Sequence, residues 1–221
     1  MKKIIILFTL FTLFTLSIGA FSQDFIANLT SNFIFRGKMI SDKINVQPIM
    51  YFSKGDTILT NEIGTFSSFS LDGSYKEVDL YYKFTYKWIY LTITDYMFDI
   101  NRFLNYSNTS TNVIETTLGF KSNSFPIVIS LNSFIWGNDK DINNKQLYSS
   151  YAEACYAFKN VNLFCGITPY KSFYANKPAI VNVGISMIKN LVIEKLSIPI
   201  TTSIVINPDV KQIFANLTFI F

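Results

Sequence analysis

The sequence predicts an all-β chain: a transmembrane, antiparallel, up-and-down β-barrel of about twelve strands behind a cleaved N-terminal signal peptide. Three observations carry this prediction. Over residues 210–221, Ile213, Ala215, Leu217, Phe219 and Phe221 share one side of an extended strand. Gln212, Asn216 and Thr218 share the other, and only Phe214 and Ile220 break the pattern. Side chains alternate across a strand with period two, so one face is apolar and the other polar. Second, hydrophobic residues make up 49% of the chain. Yet past the N-terminal stretch no unbroken apolar run approaches the ~18 residues that a helical span needs. A closed barrel is the other way to satisfy every backbone group in lipid. Third, 22 phenylalanines and 13 tyrosines exceed what a core of this size needs, and interfacial aromatic girdles would absorb them.

Residues 1–22 read as the signal. Lys2 and Lys3 are basic, Ile4 to Leu16 is apolar apart from threonines, and Ser17, Gly19, Ala20 and Ser22 offer small residues for cleavage after Ser22. Residues 23–221 then form one domain. The first strand is expected over Phe25 to Gly37, with Phe25, Ala27, Leu29, Phe33 and Phe35 opposing Asn28, Thr30, Asn32 and Arg36. Ile44 to Phe52 alternates next, and a less regular strand runs from Ile58 to Phe69. In the fourth, Lys76, Val78, Leu80, Tyr82, Phe84 and Tyr86 alternate with Glu77, Asp79, Tyr81, Lys83 and Thr85. Lys87 separates it from a strand over 88–94. The remaining strands are expected over 112–121, 125–136, 147–158, 161–169, 179–189, 197–206 and 210–221. Connections at 54–56, 87, 122–124 and 159–160 are short, whereas those at 37–43, 99–111, 137–146 and 170–178 are longer and polar. Short periplasmic turns and long external loops produce that asymmetry. A short 207–209 and a long 190–196 run against it. A soluble β-sandwich shares the alternation and the turn spacing. The aromatic excess and the polar residues on its would-be core face argue for the membrane barrel.

Composition excludes several function classes. The chain has no histidine, which removes Ser-His-Asp hydrolysis and most zinc sites, and no enzyme is expected. Cleavage would take the basic residues from 19 to 17 against 15 acids, too even a balance to suggest nucleic acid. Asp139, Asp141 and Asn143 resemble the start of a calcium loop. Asn144 and Ser150 stand where the glycine and the closing glutamate belong, so no metal or other cofactor is expected. If Lys159-Asn160 is a two-residue turn, Phe158 pairs with Val161, and Cys155 and Cys165 fall on opposite faces without a disulfide.

The candidate functional residues face the interior. Glu77, Glu115 and Glu153 each sit mid-strand opposite the apolar residues, where a lipid-facing carboxylate would be costly. With Asp79, Tyr81, Lys83 and Arg36 they either line a cation-selecting constriction or brace the barrel, with Arg36 and Lys83 as counter-charges. Phe219 and Phe221 are the candidate assembly signal.

Ser31-Asn-Phe-Ile-Phe-Arg36-Gly37, Ser41, Gln47-Pro48, Glu77-Val-Asp79-Leu-Tyr81, Glu115, Glu153 and Asn207-Pro208 together resemble the TorF-type porin family of Gram-negative bacteria. Few glycines and a divergent third strand depart from that family. The resemblance implies an outer-membrane barrel and no defined substrate. The expected partners are outer-membrane lipid, the barrel-assembly machinery during insertion, and small solutes. The expected function is a narrow passive channel, with a plugged structural or adhesive barrel acting through its external loops as the alternative.

Overall fold

The computed structural model describes residues 22–98, 105–107, 110–122 and 124–221. The expected signal peptide, apart from Ser22, lies outside the described residues. So do Arg102, most of loop 99–111, and Asn123. Twelve strands close into an antiparallel barrel in which each strand pairs with its neighbours in the chain and the last returns to the first. They are β1 (Ser22–Thr30), β4 (Asn45–Gly55), β5 (Leu59–Ser70), β6 (Lys76–Tyr86), β7 (Ile89–Met97), β8 (Val113–Lys121), β9 (Ile127–Gly137), β10 (Ser150–Phe158), β11 (Val161–Thr168), β12 (Ala179–Ile193), β13 (Leu196–Asn207) and β14 (Gln212–Ile220). Two further short strands, β2 (Phe33–Phe35) and β3 (Lys38–Ser41), form a separate hairpin between β1 and β4.

Alternation decides which residues face outward. On β6, Leu80, Tyr82 and Tyr86 are exposed, whereas Glu77 and Asp79 are buried. On β14 the exposed set includes Ile213, Leu217 and Phe221. A belt of apolar side chains thus surrounds a mostly polar interior, the reverse of a soluble fold and the arrangement that lipid demands. The seam is short: β1 meets β14 through Asn28↔Ile220, Leu29↔Phe219 and Thr30↔Thr218. Phe221 extends it by exchanging backbone hydrogen bonds with Ala27 at 2.9 and 3.0 Å.

Three expectations need correction. The first strand does not run to Gly37. It ends at Thr30, and the chain bends at Ser31-Asn32 before entering the β2–β3 hairpin. Asn32 locks that bend, donating from Nδ2 to the Ala215 carbonyl at 2.7 Å while its own carbonyl accepts from Asn216 at 2.9 Å. The segment 37–43, expected as a loop, contains β3. Residues 190–196 are not a loop either: β12 and β13 pair through to Ile193↔Leu196, leaving only Glu194-Lys195 as the turn. That removes one exception to the loop asymmetry, since the β-branched Val192 and Ile193 extend the ladder. Phe158 does pair with Val161, and both cysteines are free.

Candidate functional site

The connection from β1 to β4 turns inward. Arg36 and Gly37 both adopt positive φ, at 50° and 80°, which makes a two-residue hairpin turn between Phe35 and Lys38. Gly37 is required twice over. A side chain there would be strained at that φ, and its Cβ would collide with the Val181 carbonyl of β12. Asn207 of β13 donates to the Gly37 carbonyl at 2.9 Å, and Lys38 donates to the Phe173 carbonyl at 2.8 Å. Near the base of the hairpin, the Phe33 ring lies 5.9 Å from that of Phe66 on β5. A hairpin touching β5, β8, β9, β12 and β13 together occupies the barrel interior.

Arg36 at the tip is the centre of the site. Its guanidinium donates to both Glu115 oxygens, at 2.5 and 2.8 Å, to Asn132 Oδ1 at 2.8 Å, and to the Tyr174 hydroxyl oxygen at 2.5 Å. Phe35, Tyr151 and Tyr174 present ring faces to it at 4.6, 5.0 and 5.8 Å. Desolvation opposes the charge, but the Tyr174 oxygen and the Glu115 carboxylate outweigh it, so the guanidinium stays charged. Burial pushes the Tyr174 phenol well above its usual range. Glu115 also accepts from Tyr96 at 3.1 Å, and its side chain is 2% exposed. Around this knot pack Val113, Phe134, Tyr151, Tyr174 and Val181, an apolar core inside the barrel rather than outside it. A planar fork that holds a carboxylate bidentately while stacking on rings is a task for arginine and not for lysine.

The other expected residues have separate partners. Glu77 accepts from the Tyr75 hydroxyl at 2.7 Å, and Glu153 accepts from the Tyr151 hydroxyl and from Asn182, the latter at 2.9 Å. Lys83 lies 3.9 Å from Glu62 and therefore compensates none of the three expected glutamates. Tyr81 donates to the same Glu62 at 2.9 Å. Glu77 and Glu115 are also not mid-strand: they fall near the starts of β6 and β8, close to the loop end of the barrel, whereas Glu153 lies one residue from the middle of β10. Strand boundaries cause this difference, because β6 and β8 begin only one and two residues before their glutamates. Phe219 and Phe221 border the β1–β14 seam on the outward face. Tyr96, Asn132 and Tyr151 were missed although their interior parity was readable. Tyr174 and Glu62 carried no comparable signal, the first lying in a loop and the second in the irregular third strand.

Two cavities flank the hairpin. One of about 510 Å³ lies between it and the loop ends of β6 to β9, lined largely by aromatic rings with Glu77. The other, about 310 Å³, lies towards β12, β13 and β14, and half of its lining residues are Thr, Ser or Asn. Deeper in the barrel the wall is kept clear by glycines under aromatic rings. Tyr81 lies over Gly64, Tyr90 over Gly119 and Phe164 over Gly184, each directly across a strand pair. A ring laid flat on a glycine shields the bare backbone and projects little into the interior. Comparison with known proteins gave no matching family model and no matching curated protein.

Proposed function

We propose that this chain is an outer-membrane barrel of a Gram-negative bacterium that acts as a narrow passive channel for small solutes, constricted by the β2–β3 hairpin. The observation that carries the reading is the cavity beside the hairpin, where Thr201, Ser203, Asn216 and Thr218 of β13 and β14 give a polar wall alongside the apolar Phe33, Phe66, Phe164 and Val205. Solute would diffuse along this polar wall, past a constriction whose position is fixed by Arg36. Glu115 is neutralised by Arg36, so it braces. Glu77, Asp79 and Glu153 have no cationic partner among the described residues and would favour cations. The apolar outer belt fits the lipid, and Phe219 and Phe221 fit engagement by the barrel-assembly machinery.

The buried Arg36 knot favours a second reading, a plugged barrel that works through its loops. Planar-bilayer recording separates the two. Small, steady conductance with cation-selective reversal potentials supports the channel. Absence of conductance from protein that is folded and inserted would sink it in favour of the plugged barrel.

A further inference from the structure

The larger cavity has a chemistry that the channel reading does not use. Its walls are aromatic: Phe33 and Phe35 from the hairpin, Tyr75, Tyr96 from β7, Phe134 from β9, and Phe173 from the β11–β12 loop. One strand carboxylate, Glu77, lies among these rings and is 4% exposed. Its described partner is the Tyr75 hydroxyl, a neutral donor. Asp79, the next interior position along β6, is also 4% exposed, and its Oδ1 has no hydrogen-bond partner among the described residues. Glu115, across β7, has Arg36. Among the described residues, Glu77 and Asp79 have no such cation. Asp139 also borders the cavity, but its carboxylate already accepts from the Ser149 amide at 2.8 Å and hydroxyl at 2.6 Å. Lys140, also at the lining, is exposed.

Buried carboxylates without a counter-charge are costly, whereas ring faces and a carboxylate together attract a cation that has an apolar body. About 510 Å³ lies within the range of small-molecule sites. We propose that this cavity binds a small organic cation, a quaternary ammonium or protonated amine, with its charge at Glu77 and its alkyl groups against Phe33, Tyr96 and Phe134. The site sits at the loop end of the barrel, so a solute would meet it before the hairpin. This inference rests on the interior being open to solute from that end.

The test is isothermal titration of the detergent-solubilised full chain with choline and with its uncharged isostere 3,3-dimethylbutan-1-ol. Choline should bind at least about tenfold more tightly than the alcohol, the discrimination expected of a desolvated cation–ring site with a carboxylate. Glu77→Gln should remove that preference while leaving the alcohol's weak binding unchanged. Equal affinity for the two probes, no binding of choline at millimolar concentration, or an unaltered choline affinity in Glu77→Gln overturns the proposal. The two-probe comparison on the unaltered chain decides the matter even if the variant fails to fold. Because binding is read without conductance, a barrel that binds choline and conducts nothing refutes the channel and leaves this site standing. One that conducts and does not bind does the opposite.

Discussion

Replacing Arg36 with alanine should both destabilise the barrel and widen it. The change deletes a two-pronged ion pair and the hydrogen bonds to Asn132 and Tyr174, and leaves Glu115 with hydroxyl donors from Tyr96 and Thr117. Removing one member of a buried pair costs about 3–5 kcal/mol, because the remaining charge is left in a medium that solvates it poorly. The cavities on either side of the hairpin allow water to reach the vacated space, so the lower end, about 3 kcal/mol, is expected. Replacing both partners, as in Arg36→Met with Glu115→Leu, should recover most of that loss, since no charge is then stranded. Urea titration of the vesicle-embedded protein, followed by Trp88 and Trp136 fluorescence, gives the stability, and bilayer recording gives the pore. The alanine variant should conduct more and prefer cations more strongly. Stability within about 0.5 kcal/mol of the parent, the scatter of a neutral surface change, together with unaltered conductance, would falsify the bracing role of Arg36.

Other outcomes can be checked in parallel. Converting Glu77, Glu115 and Glu153 together to glutamine should move reversal potentials towards anions; unchanged potentials would mean that none of the three meets the permeant ion. Gly119→Ala should cost about 1–3 kcal/mol by forcing the Tyr90 ring off the wall, and should lower conductance, both measurable on the same samples. Deleting Phe221 removes its backbone pair with Ala27 from a seam of only three register pairs, so the heat-modifiable folded band on electrophoresis should fall sharply. In vesicles, a water-soluble maleimide should label Cys155, which faces the interior, and spare Cys165, which faces outward from β11. The reverse labelling would mean that inside and outside have been assigned the wrong way round.

The barrel was legible because burying one face of every strand imposes the period-two pattern that β6 and β14 display. The hairpin was not, and the reason is specific. Phe33 and Phe35 keep the parity of Phe25, Ala27 and Leu29, so alternation runs unbroken across the bend at Ser31-Asn32. Nothing in a periodicity distinguishes a strand that continues along the wall from one that folds inside it. Arg36-Gly37 was the available clue, since a residue followed by glycine can supply the two positive φ values of a tight turn. Cost in lipid assigns the three glutamates to the interior face, and Glu77 and Glu115 are buried. Their partners were not legible. Which side chains meet across a barrel depends on register and on loops such as that bearing Tyr174, neither of which alternation encodes.

The hairpin also constrains the order in which the molecule can be completed. Arg36 and Gly37 are formed early in the chain, yet their partners Glu115, Asn132, Tyr174 and Asn207 lie 79, 96, 138 and 170 residues further on. Contacts this distant in sequence form late, after the intervening chain has lost its freedom. The tip can dock fully only once β8, β9, β12 and β13 stand in place, when the wall is all but complete. A growing barrel would therefore hold a wide, water-filled interior until its final strands arrive, and would be narrowed from within as the last step. Protease cleavage near Arg36 during refolding should accordingly persist until the folded electrophoretic band appears; protection that comes earlier would refute this sequence of events.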